Sequence, residues 1–412
     1  MSTTSRPSAN RIWDHCQALG QLSEMAGGLT RVYLSNEQQA ANELVLGWMR
    51  AAGMSARLDA AGNCVGRYDG ERPGLPCLVL GSHLDTVRDA GKYDGMLGVV
   101  AAIECVRTLH ERRKRLSFAI EVIGFADEEG ARFNATLLGS RAVAGTFKPE
   151  VLDAVDKDGV SMREAMQHFG LDPATVGEAA HRREDVLAYA ELHIEQGPVL
   201  EAEGLPVGVV TAINGATRFA VELNGLAGHA GTVPMSRRQD ALAAAAECVL
   251  AIERRCAREP ELVGTVGKVE ALPGAVNVIP GKVKFTIDIR SPEDRQRLAA
   301  VDDVLAEMQA IAKRRNVEIK ATKTHDGGVA PCAPWLQEQI GRAIATEGLA
   351  VRKLPSGAGH DGMAMIDLAD IGMLFVRCAK GISHNPAEAI TLEDIETGTR
   401  VFLRFIEDFK PK

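Results

Sequence analysis

Over residues 214–327 the sequence follows the order β-α-β-β-α-β, and on both sides of it runs a different rhythm, single strands separated by helices. This interruption constrains the fold more than any other feature. A segment that completes its own strand and helix order buries its own core, so the chain is expected to leave one domain, finish a second and return. Phe219, Val221 and Leu223 alternate with Ala220 and Glu222, a helical pattern covers 240–255, and two strands fall near 262–289. A second helix covers 293–314, and Val317-Glu318-Ile319-Lys320 closes the order. At 412 residues the chain exceeds the size at which a single core keeps growing. The expected organisation is a larger domain in two parts, 1–213 and 328–412, with an open-faced sandwich, 214–327, inserted between them.

The flanking rhythm defines the larger domain. Two amphipathic helical patterns span 9–58, Leu78-Val79-Leu80 leads through a loop into a helix at 96–113, and 117–125 is rich in β-formers. Residues 188–193 form another short strand, and a helix at 335–347 with Met373-Leu374-Phe375-Val376 resumes the pattern. Strands spaced by helices predict an α/β fold, a mixed sheet covered by helices on both faces. Hydrophobic residues at 46% and charged residues at 25% fit a globular chain.

Charge and cysteine usage exclude several functions. The net charge is -8, and no basic run is longer than Arg112-Arg113-Lys114-Arg115, which argues against nucleic acid as a partner. The first residues lack an apolar leader, and no window has the length to span a bilayer, so no membrane partner is expected and the predicted location is cytoplasmic. The 8 cysteines have no C-x-x-C spacing and read as buried apolar side chains.

Four polar clusters follow candidate strands: His83 with Asp85, Asp127-Glu128-Glu129, His193 with Glu195-Gln196, and His384. Ligands of open α/β sheets collect at the carboxyl ends of strands, so these clusters are expected to meet. Asp94 joins them from just before the helix that starts at Met96. Each cluster alone has a plain structural explanation: a hydrogen-bonded histidine, a solvated loop, a helix cap. Together, three histidines and several carboxylates at one sheet edge are costly to bury unpaired. Two divalent cations sharing a carboxylate remove that cost, and Asp94 can be the shared group. Of Glu128 and Glu129, one would be a ligand and the other a base. Asp85 would take the proton on the second nitrogen of His83 and fix its tautomer.

The motifs Gly-Ser-His-Leu-Asp-Thr-Val, Tyr-Asp-Gly-Met-Leu-Gly, Phe-Ala-Asp-Glu-Glu-Gly-Ala-Arg-Phe, His-Ile-Glu-Gln-Gly-Pro-Val-Leu-Glu, Gly-His-Ala-Gly-Thr-Val-Pro-Met, Asn-Val-Ile-Pro-Gly, Ser-Gly-Ala-Gly-His-Asp and Gly-Ile-Ser-His-Asn-Pro-Ala-Glu occur in that order. From about residue 20 to 408 the chain resembles the hydantoinase/carbamoylase branch of the M20 metallopeptidase-like amidohydrolases. The resemblance implies that His83 and His193 hold one metal, Glu129 and His384 the other, that Asp94 bridges, and that Glu128 is the general base. It implies two divalent ions per subunit, Zn²⁺ or Mn²⁺, with Co²⁺ or Ni²⁺ as alternatives. The inserted domain is implied to be a lid and homodimerisation surface, whose His229 reaches the partner subunit's site and polarises the scissile carbonyl. Arg218, Asn277 and Arg290 would bind the substrate carboxylate, with Gln196 and Gly359 lining the pocket.

One of these positions has independent support. Val283, Phe285, Ile287 and Ile289 alternate with polar residues, so Arg290 projects from the face opposite the buried one, where a guanidinium can grip a carboxylate. The implied reaction is hydrolysis of a ureido C–N bond in a small carboxylate, releasing ammonia and carbon dioxide. Gly-Gly-Leu-Thr-Arg-Val-Tyr and Gly-Lys-Val-Glu-Ala-Leu-Pro-Gly-Ala-Val-Asn-Val-Ile-Pro-Gly resemble allantoate amidohydrolases. N-carbamoyl-L-amino acid hydrolases and β-ureidopropionases are the alternatives, then aminoacylases or dipeptidases. His15, His110, His168 and His181 are read as structural, and His360 as bracing its loop.

Overall fold

The computed structural model describes residues 5–412, which form two compact units. The larger comprises residues 5–211, 332–354 and 358–412; the inserted one comprises 212–331 and 355–357. The inserted unit therefore begins two residues before the expected 214, ends four after the expected 327, and recruits three residues from further along the chain.

The sheet of the larger unit runs Ser55–Leu58, Cys64–Tyr68, Ala119–Phe125, Cys77–His83, Val186–Ile194, Ile371–Val376, Val207–Ile213. Its four central strands are mutually parallel, and the flanking ones pair antiparallel. The mixed sheet of the sequence reading is thus present. Parallel strands need crossover connections, and the Met96–Glu111 helix supplies the first of them, carrying the chain from Cys77–His83 to Ala119–Phe125.

Alternation assigns the faces. Leu78 and Leu80, with Ala188, Ala190 and Leu192, belong to the main core, together with Val99 and Val106 of the Met96–Glu111 helix and Phe402 and Phe405 of Leu392–Asp408. On the neighbouring strand, Tyr189 and Glu191 take the intervening positions and are buried as well. The short Gly362–Met365 helix packs on Val186–Ile194 and Ile371–Val376. Burial of every position of Cys77–His83 and Ala119–Phe125 is the signature of strands covered on both sides.

The inserted unit has a sheet ordered Val269–Leu272, Lys282–Ser291, Gly215–Asn224, Glu318–Gly327, with Val263–Thr265 also paired to Lys282–Ser291. Helices Ala241–Cys256 and Asp294–Arg315 cover one face, where Phe219, Val221, Leu223, Val283, Phe285, Ile287 and Ile289 are buried. Asp240 caps the first helix by accepting from the backbone N–H of Leu242 and Ala243. Several short strands stand where two are expected near 262–289, because runs of two to four residues carry too little periodicity to separate. No helix among the described residues is long and apolar enough to cross a membrane.

Candidate metal centre

Because the central strands are parallel, their carboxyl ends lie on one edge. His83 is the last residue of Cys77–His83 and pairs in register with Phe125, the last of Ala119–Phe125, after which come Glu128 and Glu129. His193 sits near the end of Val186–Ile194, opposite Phe375. His384 follows Ile371–Val376 in a loop, with φ of +52°.

Asp94 is at the centre. Its Oδ1 lies 3.2 Å from His193 Nε2 and 3.5 Å from His83 Nε2, while its Oδ2 lies 3.2 Å from His384 Nε2. His384 Nε2 is also 3.4 Å from Glu129 Oε1. The donor atoms of His83, Asp94 and His193 lie within 4.8 Å of one another, as do those of Asp94, Glu129 and His384. Two overlapping sets therefore share one carboxylate, each set using a different oxygen. The plainer account of Asp94 as a helix cap fails: Gly95 is the cap position and no side chain bonds there.

Gly95 has φ of +69°, and a Cβ on it would sit 2.5 Å from the imidazole of His83. Only glycine combines that backbone conformation with that approach.

The electrostatics call for positive charge. Burial alone would raise Asp94, but hydrogen bonds with His193, His384 and His83 hold it well below the usual carboxylate range. Burial pushes His83 down, yet Asp85 and Asp94 more than reverse this, and the imidazole ends well above its ordinary value. Burial raises Glu128 strongly, with Asp361, Asp85 and Asp94 adding to it against the opposing pull of His83. Burial and the neighbouring Glu128 push Glu129 up to about 8. Imidazole nitrogens and carboxylate oxygens that demand cationic neighbours are the donor set that divalent transition ions satisfy.

Asp85 meets both the imidazole of His83 and the loop of the two glutamates. His83 Nδ1 lies 3.0 Å from the backbone carbonyl of Asp85 and 3.6 Å from its carboxylate. The carboxylate also accepts from the backbone N–H of Glu128 at 2.9 Å and of Glu129 at 3.1 Å. His83 Nδ1 thus faces both the main-chain carbonyl and the carboxylate of Asp85, and the Asp85 side chain shapes the loop bearing the two glutamates.

The peptidase family M20/M25/M40 profile matches residues 79–408, the span that contains every residue of this cluster. The chain belongs to that family. N-carbamoyl-L-amino acid amidohydrolase of Geobacillus stearothermophilus is 42% identical over 392 residues, 95% of this chain and 96% of its own. Allantoate deiminase of Arabidopsis thaliana is 40% identical over 423 residues, 94% of this chain and 80% of its own. The crystal structure of a hydantoinase/carbamoylase family amidase from Burkholderia multivorans superposes with a TM-score of 0.92 at 31% identity, covering 99% of both chains. This M20 chain is an amidohydrolase, a hydrolase of C–N bonds, with residues that fit divalent metal ions.

Other expected site residues of this M20 chain fall into separate groups. Gln196, at φ of +55°, donates to Asp94 Oδ2 at 2.9 Å and to Ser383 Oγ at 3.1 Å, so it touches the cluster itself. A side chain at Gly359 would reach within 3.6 Å of Glu128 Oε1. His360 is buried, its ring edge-to-face with His193 at 4.4 Å. In the inserted unit, Arg218 and Arg290 converge on Asp288, with Nε atoms 2.8 Å from its two oxygens. Both line a cavity of about 650 Å³ with Thr286, Thr324 and Gly357. His229 and Asn277 lie together on a short exposed ribbon, where His229 pairs with Val278.

Sequence reasoning missed Ser383 and Glu388. Ser383 Oγ lies 2.9 Å from Asp94 Oδ2 and 2.8 Å from Glu388 Oε2. Both residues stand in the Ser-His-Asn-Pro-Ala-Glu motif, the signal from which they were open to discovery. Asp288 was missed as well, although it sits two residues before Arg290 on the same strand face.

Proposed function

We propose that this protein hydrolyses the ureido C–N bond of a small carboxylate, releasing ammonia and carbon dioxide, with allantoate as the first candidate substrate. The observation that carries the reading is the division of Asp94 between two donor sets, beside a buried glutamate that belongs to the same cluster. In this reading His83 and His193 would hold one divalent ion and Glu129 and His384 a second, with Asp94 available to both. Zn²⁺ or Mn²⁺ fits the His and carboxylate donors, and Co²⁺ or Ni²⁺ is accepted by the same ligand types. Such ions supply Lewis acidity, polarising a carbonyl and lowering the pKa of water toward neutrality.

The remaining steps belong to the chain. Glu128 takes a proton from the attacking water and returns it to the departing nitrogen, and its raised proton affinity suits both halves of that transfer. Asp85 keeps Glu128 in place through the backbone bond described above. Arg218 and Arg290 form the carboxylate site, with Asp288 holding the guanidiniums until an anion competes for them. Asn277 and His229 add contacts to the substrate, His229 from a second subunit, so the active form is a homodimer assembled through the inserted unit, which also serves as a lid. The working compartment is the cytoplasm.

N-carbamoyl-L-amino acid hydrolysis is the second reading, favoured by the 42% identity to the Geobacillus enzyme. The two substrates differ beyond the ureido carbon, where single-group differences change selectivity modestly. Ammonia release from the metal-reconstituted protein, with allantoate, N-carbamoyl-L-amino acids and 3-ureidopropionate side by side, tests both. Turnover of none of them, with cleavage of acyl amino acids or dipeptides instead, would replace the proposal with a peptidase-like activity.

A further inference from the structure

The carboxylate of Glu388 is buried against the loop that carries Asp94, although 294 residues separate the two. One of its oxygens, Oε1, accepts from two consecutive backbone N–H groups, Tyr93 at 2.8 Å and Asp94 at 3.1 Å. The other, Oε2, lies 2.8 Å from Ser383 Oγ, which in turn is 2.9 Å from Asp94 Oδ2. Space for this carboxyl exists because residue 91 is glycine: a Cβ there would sit 2.2 Å from Glu388 Cδ. The loop is tailored to a side chain from the far end of the chain.

The contacts on Asp94 are uneven. Oδ1 faces His193 and His83. Oδ2 faces His384 and is also approached by Gln196 and Ser383. The two sets differ in rigidity too. His83 and His193 are fixed in buried strands, with side chains 2% and 1% exposed, whereas His384 is 49% exposed on a loop in a left-handed backbone conformation. That loop is tied down at its far end by Glu388, whose backbone N–H donates to Asn385 at 3.0 Å.

We infer that Glu388, acting through Ser383 and the Tyr93–Asp94 backbone, is a positioning residue for the Asp94–Glu129–His384 donor set specifically, and that the His83–Asp94–His193 set forms without it. The inference rests on the two-ion reading. Carboxylates hydrogen-bonded to a metal ligand commonly account for about a 10–100-fold difference in metal affinity. Here that contribution falls on one of two sites, because one side of Asp94 is pre-formed by strands and the other depends on a loop that must be held.

The test is metal stoichiometry. Protein stripped with a chelator, reloaded with Mn²⁺ or Zn²⁺ and desalted is analysed by atomic emission, with circular dichroism reporting the folded fraction. Wild type is expected to hold two ions per chain and Glu388→Ala one. Glu388→Gln keeps an acceptor for both backbone N–H groups and is expected to stay near two. Ser383→Ala is expected to weaken the second ion about 10–100-fold and leave the first unchanged. Two ions bound to Glu388→Ala at wild-type affinity would overturn the inference, and so would equal weakening of both ions in Glu388→Ala and Ser383→Ala. If Glu388→Ala does not fold, Ser383→Ala decides: unaltered affinity for both ions overturns the inference. A wild-type protein with fewer than two ions refutes the two-ion reading, and the inference falls with it.

Discussion

The carboxylate of Asp85 accepts the backbone N–H of Glu128 at 2.9 Å, so the strand end that presents His83 also holds the loop that presents the candidate base. Two chain segments 43 residues apart are joined in this way by one side chain, whose carboxylate also lies 3.6 Å from His83 Nδ1.

Replacing Glu128 by Gln removes the proton acceptor while preserving size. Metal content is expected to remain at the wild-type level and kcat to fall by about 10²–10⁴-fold, the usual contribution of a general base. Turnover within tenfold of wild type, measured with full metal occupancy, would remove Glu128 from the proposed role.

For Asp85→Ala the expected loss is structural as well as catalytic. Two backbone N–H groups in a buried loop lose a charged acceptor, and hydrogen bonds to charged groups contribute about 1.5–3 kcal/mol. Urea denaturation should show a destabilisation of about 3–6 kcal/mol for the two bonds together, with a reduced kcat. An unchanged midpoint would mean that the loop holds its shape without Asp85.

Gly95→Ala places a methyl group into the imidazole of His83 on a backbone that disfavours any side chain. Affinity for the ion at the His83–His193 side is expected to drop at least tenfold in isothermal titration. Binding equal to wild type would show that the helix start can shift to make room.

Stability should fall on mild acidification for a reason outside the site. Burial, with Arg107 and Arg11 nearby, lowers His15 to about 4, and its ring stacks on Trp48 at 3.8 Å. The unfolded chain takes up this proton near pH 6.5 while the folded chain resists until about 4, so stability is full above 6.5 and declines as pH falls between those values. Melting temperatures of wild type and His15→Phe, compared from pH 7 to 4, should show a smaller acid-side decline in the variant. Identical slopes would exclude His15 as a contributor.

The sequence by itself determined the alternation of strands and helices, the inserted β-α-β-β-α-β segment, and the residue types at the strand ends that mark a cation site. These are local properties: side-chain periodicity, and ionisable groups placed just beyond apolar runs. Tertiary structure alone decided how those groups divide. Which oxygen of Asp94 faces which histidine, the bonds from the Asp85 carboxylate to the backbone of Glu128 and Glu129, and the sharing of Asp288 by Arg218 and Arg290 depend on where separate strands stop relative to one another. Glu388 is the extreme case, since its partners lie 294 residues away in sequence. No periodicity encodes such a pairing; it arises only when the sheet brings the two loops to one edge.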